Sequence, residues 1–292
     1  MQETYRLSDP SAVKSLLARH GFTFSKSLGQ NFLINPSVCP RIAEEGNARK
    51  GFGIIEIGTG IGVLTAELAK RADKVVAVEI DTRLEPVLKE TLAEFSNVQV
   101  IYQDVLKVDL RELIAQEFAG LEVAVCANLP YYITSPIIMS LLEARLPIKS
   151  ITVMVQKEAA VRICAEPGTR DVGAVSLAVR YFSTPKLLFH VSRGSFMPAP
   201  NVDSCVIRLD VKENTPEQVR DEKFFFRLVR AGFSQRRKTL VNPVSSGLGI
   251  SKETVREALE KLDIKPTVRA EELTMEQFIL LSNWLSERIE QH

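Results

Sequence analysis

Phe52–Asp81 reads FGIIEIGTGIGVLTAELAKRADKVVAVEID. An apolar run, FGIIEIG, ends on glycines, an amphipathic helical pattern, VLTAELAKRA, follows, and a second apolar run, KVVAVEI, closes the segment. Strand, helix, strand at this spacing is a βαβ unit with parallel strands. Glycines at the first turn let the backbone approach a ligand closely, and the helix they open presents free N–H donors. Working outward, RLEPVLKETLAEF predicts another helix and VQVIYQD a third strand. LEVAVCA and SITVMVQK predict a fourth and a fifth. The alternation implies a mostly parallel, doubly wound α/β sheet with helices on both faces. An N-terminal helix over about 10–19 precedes it. After Gly168 the pattern is less regular, and KLLFHVS and CVIRLDV predict two further strands as an antiparallel edge. From about Thr215 the chain turns polar and helical, in EQVRDEKFFFRLVRAGFS, KETVREALEKL and TMEQFILLSNWLSERI. The expected domains are therefore a Rossmann-like domain over 1–212, with an N-terminal helical extension, and a small all-α domain over 213–292.

Composition bounds the function. The chain has 292 residues, 45% of them hydrophobic, enough for one large domain and a smaller one. No apolar run reaches 18 residues, and the first residues lack a cationic segment followed by an apolar one, so neither a membrane span nor a secretion signal is expected. Cys39, Cys126, Cys164 and Cys205 form no CxxC or CxxH pair and read as reduced thiols of a cytoplasmic protein. With three histidines, a His-based metal site or triad is disfavoured, and no metal is expected. Net charge is +1, so a nucleic-acid partner would need a local basic patch.

Three successive strand ends carry polar groups. Gly58, Gly60 and Gly62 give GxGxG, with Val63 where a dinucleotide fingerprint has its last glycine. Glu79 ends the second strand, 21 positions after Gly58, where a carboxylate can accept from ribose hydroxyls. Asp104 follows the third and could accept from an adenine amino group. The three lie along one edge of the sheet, the crevice where such folds bind ligands. A tight turn with two solvated strand-end acids is the alternative. These acids do not distinguish NAD from S-adenosylmethionine.

The fourth strand ends in CANLPYYITSP, Cys126–Pro136. Asn128-Leu129-Pro130-Tyr131 resembles the (Asn/Asp/Ser)-Pro-Pro-aromatic signature of methyltransferases acting on exocyclic amino nitrogens. An adenine N6 lone pair is delocalised into the ring, so the amine is a poor nucleophile. The Asn128 side-chain oxygen and the Leu129 carbonyl could hold its two N–H groups and favour the geometry in which charge develops. Pro130 stiffens the loop, and Tyr131 offers a face for a base drawn out of its helix. The alternative makes Asn128 a helix cap and the tyrosines core.

SLGQNFL (Ser27–Leu33), EIGTGIG, VEID, QDVLK, NLPYYITSPI, FMPAPNVDS (Phe196–Ser204) and GFSQRRKTL (Gly232–Leu240) occur in one order. Together they resemble the KsgA/RsmA family of small-subunit rRNA adenine dimethyltransferases, over nearly the whole chain. The resemblance implies a Rossmann-like methyltransferase sheet and transfer of two methyl groups to N6 of each of two adjacent adenosines near the 3′ end of 16S rRNA. It implies S-adenosylmethionine as donor and an immature small (30S) ribosomal subunit as partner; a cytoplasmic monomer is expected. It assigns Asn31, Leu33, Gly58, Glu79, Asp104 and Asn128 to the donor, with Gly60 beside them, and Phe196 to the target base opposite Tyr131. The family often reads GPG where this chain has Gly58-Thr59-Gly60.

The remaining segments are weaker alone. QNFL is otherwise a polar connector, and Phe196 a core residue in a turn. Arg220, Lys223, Arg227, Arg230, Arg236, Arg237 and Lys238 make a stretch rich in bases and poor in acids, suited to phosphates. Arg236, Arg237 and Lys238 are the expected RNA contacts, and a solvated helix face is the alternative. His190 reads as a strand residue and FFFRLV as core. Three rivals remain: the related Erm class, which methylates 23S rRNA; a non-catalytic ribosome-assembly or transcription factor; and a dehydrogenase, disfavoured by the incomplete glycine fingerprint. Erm proteins tend to be shorter and more basic than this chain, with its pI near 7.6.

Overall fold

The computed structural model describes residues 7–25, 28–216, 218–235 and 237–290. In chain order the elements are α1 (Pro10–Arg19), β1 (Phe32–Leu33), α2 (Val38–Glu45), β2 (Phe52–Ile57), α3 (Val63–Ala69), β3 (Lys74–Glu79), α4 (Glu85–Thr91) and β4 (Val98–Tyr102). Next come α5 (Leu110–Glu117), β5 (Glu122–Asn128), α6 (Thr134–Glu143), β6 (Ser150–Gln156), α7 (Lys157–Cys164), α8 (Ala174–Phe182), β7 (Ser183–Val191), β8 (Phe196–Met197) and β9 (Ser204–Val211). Four helices end the chain: α9 (Glu222–Phe233), α10 (Val241–Leu248), α11 (Lys252–Lys261) and α12 (Met275–Glu290).

The chain divides into two compact units, one of Met1–Ala160 with Thr184–Val211, the other of Val161–Ser183 with Lys212–His292. In the first, a seven-stranded sheet has the order β4-β3-β2-β5-β6-β9-β7. β2, β3, β4, β5 and β6 pair in parallel, and β9 runs antiparallel to β6. All seven expected strands are present. From β2 the chain winds outward to β3 and β4, then returns to place β5 on the other side of β2. This reversal opens a crevice at the carboxyl ends of β2 and β5.

β2 is buried along its whole length, as a central parallel strand should be. Side chains alternate across it, so Ile54 and Glu56 share one face, covered by Cys39 and Ile42 of α2 and Leu64 and Leu68 of α3. A second cluster joins Val13, Leu16 and Leu17 of α1 to Val87 and Leu88 of α4, with Phe32 and Ile61. α1 starts where Asp9 accepts from Ser11 N–H and Pro10 occupies the first turn.

The second unit is helical. Tyr181 packs against Phe182, Phe225 and Phe226 at ring-centroid distances of 4.9, 5.4 and 5.0 Å, and its hydroxyl donates to Glu222 at 2.8 Å. This cluster draws 161–183 into the helical unit, so the expected 212/213 boundary describes only the last of the chain's crossings. α10 went unforeseen because Pro243, two serines and Gly247 hide its periodicity. It forms because Gly247 lets it approach Ala231 of α9, where an added Cβ would lie 2.6 Å from the Ala231 Cβ. Among the described residues no helix is long and apolar enough to cross a membrane.

Candidate active site

The ends of four parallel strands and one N-terminal strap line a single cleft of the first unit, roughly 1190 Å³ including its open mouth. After β2 the backbone turns through Gly58 and Gly60, with φ of 78° and 55°. A Cβ at Gly60 would stand 3.2 Å from the Phe32 ring. At Gly58 it would meet only the Asn128 carbonyl oxygen, at 3.9 Å, and so would stand in the cleft itself. The missing side chain is thus a cradle for something else.

Glu79 ends β3 with its carboxylate already at work. Oε2 accepts from Thr59 N–H (2.9 Å), Thr59 Oγ1 (2.9 Å) and Gly60 N–H (3.3 Å), and Oε1 accepts from Asp81 N–H (2.9 Å). Glu79 therefore fastens the glycine turn, and Oε1 retains lone-pair capacity for one further donor. Thr59, the departure from GPG, supplies an N–H that proline lacks. Asp104 lines the cleft beyond β4, with Oδ1 accepting from Leu106 N–H at 3.1 Å.

The strap at 28–33 crosses the same cleft. Asn31 Nδ2 donates to the Gly29 carbonyl at 2.9 Å, and the Asn31 carbonyl accepts a long 3.5 Å contact from Asn128 Nδ2. Leu33 is buried, pairing with Phe196 in the two-stranded β1–β8 ladder. Ser27, at the start of the SLGQNFL motif, lies outside the described residues.

Asn128 is the last residue of β5, half-buried, and its Oδ1 accepts no hydrogen bond from the described residues. It does not cap α6, whose N-cap is Ile133 with no side-chain cap bond. The capping alternative is thereby removed. The Pro130 carbonyl accepts from Ile133 N–H (3.2 Å) and Thr134 Oγ1 (3.3 Å), which fixes the turn carrying Leu129, Pro130 and Tyr131. The Tyr131 hydroxyl shares a 2.8 Å hydrogen bond with Ser204 Oγ, and burial pushes its pKa up. Phe196 lines the cleft and also belongs to the core, only 4% exposed.

One cleft residue was missed from sequence. Glu56, the acid inside EIGTGIG, is fully buried, and neither carboxylate oxygen has a hydrogen-bond partner. Burial pushes its pKa up to about 8, the nearby Thr65 hydroxyl opposes this without closing a hydrogen bond, and Glu79 adds to it. An orphaned buried carboxyl facing a ligand cleft is suited to a cationic group. Its signal was a charged residue inside an otherwise apolar central strand. Cys39 and Cys126 beside it are buried, with pKa values raised by burial and by Glu56.

In the helical unit, Arg237 and Lys238 are exposed on the turn after α9, and Arg236 lies outside the described residues. Lys223, Arg227 and Arg230 are exposed at i, i+4 and i+7 along one face of α9, opposite buried Phe225, Leu228 and Val229. Arg220 leaves the expected basic set, because Glu287 neutralises it in an ion pair. Among the described residues no cluster of three or more His, Cys, Asp or Glu could hold a metal ion.

Residues 21–287 match the model of the ribosomal RNA adenine dimethylase family. The chain is 49% identical to Ribosomal RNA small subunit methyltransferase A of Alkaliphilus oremlandii (strain OhILAs) over 285 residues, covering 97% of this chain and 99% of that protein. It is 50% identical to the protein of the same name from Geobacillus thermodenitrificans (strain NG80-2) over 283 residues, covering 96% and 97%. Among solved structures, a dimethyladenosine transferase from Plasmodium falciparum matches with a TM-score of 0.72 and 27% identity, over 88% of this chain and 98% of that one. The 23S rRNA methyltransferase ErmE matches with a TM-score of 0.67 and 26% identity, over 88% and 100%.

Proposed function

The chain belongs to the ribosomal RNA adenine dimethylase family, and from that premise we propose how its residues divide the work. It is an S-adenosylmethionine-dependent rRNA adenine dimethyltransferase acting on small-subunit rRNA. We propose that it places two methyl groups on N6 of each of two adjacent adenosines near the 3′ end of 16S rRNA. The substrate is an immature small subunit, and the protein works as a cytoplasmic monomer. The observation carrying this reading is the meeting of Asn128 and Tyr131 with Gly58, Glu79 and Asp104 in one cleft.

S-adenosylmethionine supplies an electrophilic methyl group on a sulfonium. The residues present fit it: Gly58 leaves room, Glu79 Oε1 would accept from ribose, and Asp104 would accept from the adenine amino group. Asn31, Leu33 and Gly60 line the same space, and the orphaned Glu56 carboxyl answers the donor's ammonium. At the target, Asn128 Oδ1 and the Leu129 carbonyl each accept one N–H of the adenine N6. These bonds strengthen as the nitrogen becomes positive, so they favour the transition state over the ground state. No protein base is needed, since the proton leaves to water after transfer. Tyr131, its ring held by Ser204, stacks on the extruded base, and Phe196 bounds the opposite side. Arg236, Arg237 and Lys238, with the α9 face of Lys223, Arg227 and Arg230, contact phosphates.

The 23S rRNA methyltransferase ErmE and the Plasmodium falciparum dimethyladenosine transferase share the architecture, with TM-scores of 0.67 and 0.72, so fold alone does not choose between the two readings. Identity of 49–50% over nearly the full length supports the small-subunit reading. Labelled donor offered separately to unmethylated small subunits, large subunits and free 23S rRNA tests it. Label confined to the small subunit is expected, and label in 23S rRNA would move the protein to the Erm class.

A further inference from the structure

The strap at 28–33 is tied to the acidic strand end by one side-chain hydrogen bond that no assigned donor residue makes. Gln30 Nε2 donates to Asp81 Oδ2 at 2.7 Å, and Gln30 Oε1 accepts from Ser25 N–H at 2.8 Å. Both partners fix the amide's orientation, since the flipped form would face two like poles. Asp81 is buried, with 4% of its side chain exposed, and Arg83 grips it through Nε (2.8 Å) and Nη2 (2.6 Å). Arg83 also reaches back to the chain before the strap, donating to the Thr23 carbonyl at 3.5 Å with its guanidinium 5.2 Å above the Phe22 ring. The backbone N–H of Asp81 donates to Glu79 Oε1, the oxygen that would accept from the ribose. One aspartate thus holds the strap with its side chain and Glu79 with its main chain.

We propose that Gln30 and Asp81 are a positioning pair for the methyl donor, their hydrogen bond clamping the strap that carries Asn31 and Leu33 onto the strand end that carries Glu79. The proposal rests on the donor-site reading above. Neither side chain reacts; each acts through the residues it holds. An unclamped strap loses its fixed register with Glu79, and donor affinity falls because ordering it then draws on binding energy. Besides the long Asn128–Asn31 contact, the catalytic turn at Asn128–Tyr131 has anchors of its own in Thr134 and Ser204, so turnover at saturating donor falls far less than donor affinity.

Gln30→Glu sets a carboxylate against Asp81, and Gln30→Ala removes the bond without repulsion. Full-length proteins are compared by calorimetry with S-adenosylhomocysteine, by donor KM and kcat on unmethylated small subunits, and by thermal unfolding. Expected are a loss of affinity of about tenfold for Gln30→Ala and a larger one for Gln30→Glu. Both variants should keep kcat within about twofold and unfolding temperatures within a few degrees. Wild-type affinity in both variants overturns the clamp while leaving the donor site standing. Failure of the wild-type protein to bind the nucleoside overturns the donor-site reading and the clamp together.

Discussion

Replacing Glu56 by glutamine should stabilise the donor-free protein, and increasingly so as pH rises. The carboxyl is wholly buried, has no hydrogen-bond partner, and carries a pKa pushed up to about 8 by burial. In the unfolded chain a glutamate titrates near 4.3. Between those values the folded protein holds a proton that the unfolded chain has released. Raising pH therefore favours unfolding, by about 1.4 kcal/mol per pH unit, until the folded group itself ionises near pH 8. Summed over the window, this is on the order of 5 kcal/mol, comparable to the stability of a small domain. Glutamine has nearly the same shape and no charge, so its protein lacks this slope while keeping every other titrating group. Urea unfolding of both proteins at pH 5, 6, 7 and 8 without donor gives the difference directly. The titration should separate the curves by about 1 kcal/mol at pH 5 and by about 1.4 kcal/mol more for each further unit, the variant the more stable. Parallel curves would mean that Glu56 is ionised and satisfied in the folded state, refuting its assignment as an orphan awaiting a cation.

Tyr131→Phe and Ser204→Ala should each lower kcat modestly, and the double variant no further than either alone, because both remove one 2.8 Å hydrogen bond. Additive losses on subunit methylation would show that the two act independently. Gly58→Ala should cost donor affinity about tenfold, since its Cβ enters the cleft, whereas Gly21→Ala, with φ +61° and open space around it, should cost stability alone. Calorimetry with S-adenosylhomocysteine separates them, and equal affinities would refute the cradle. Arg237→Ala with Lys238→Ala should weaken RNA binding and lower the slope of log K against log salt by about 2. An unchanged slope in a filter-binding titration would leave these residues as a solvated face.

The sheet was legible because each central strand is a continuous apolar run between turn signals, and the acids ending β3 and β4 interrupt those runs where ligands bind such sheets. The glycine turn was legible for the same reason. Glu56 was not, although it lies within the stretch that decided the fold. Its burial comes from alternation along β2 and from α2 folding over that face, neither visible in a window of neighbours. Glu79 ends β3 beside the cleft, but its service to Thr59 and Gly60 depends on how the turn curls back. The division near residue 212 overlooked 161–183 because that segment is assigned by Tyr181 meeting Phe225 and Phe226, a contact distant in sequence. Arg220 belongs to the basic stretch by sequence, yet Glu287, some 67 positions on, pairs with it in space.

The central claim is that Asn128 accepts the amino group on which the methyl lands. Its most direct test is Asn128→Ala, measured as dimethyladenosine formed in unmethylated small subunits under single-turnover conditions, beside affinity for S-adenosylhomocysteine. Loss of turnover by about 100-fold or more, with donor affinity changed only a few-fold, is the expected result for an acceptor that matters most in the transition state. Normal dimethyladenosine formation, or equal losses in turnover and affinity, would contradict it.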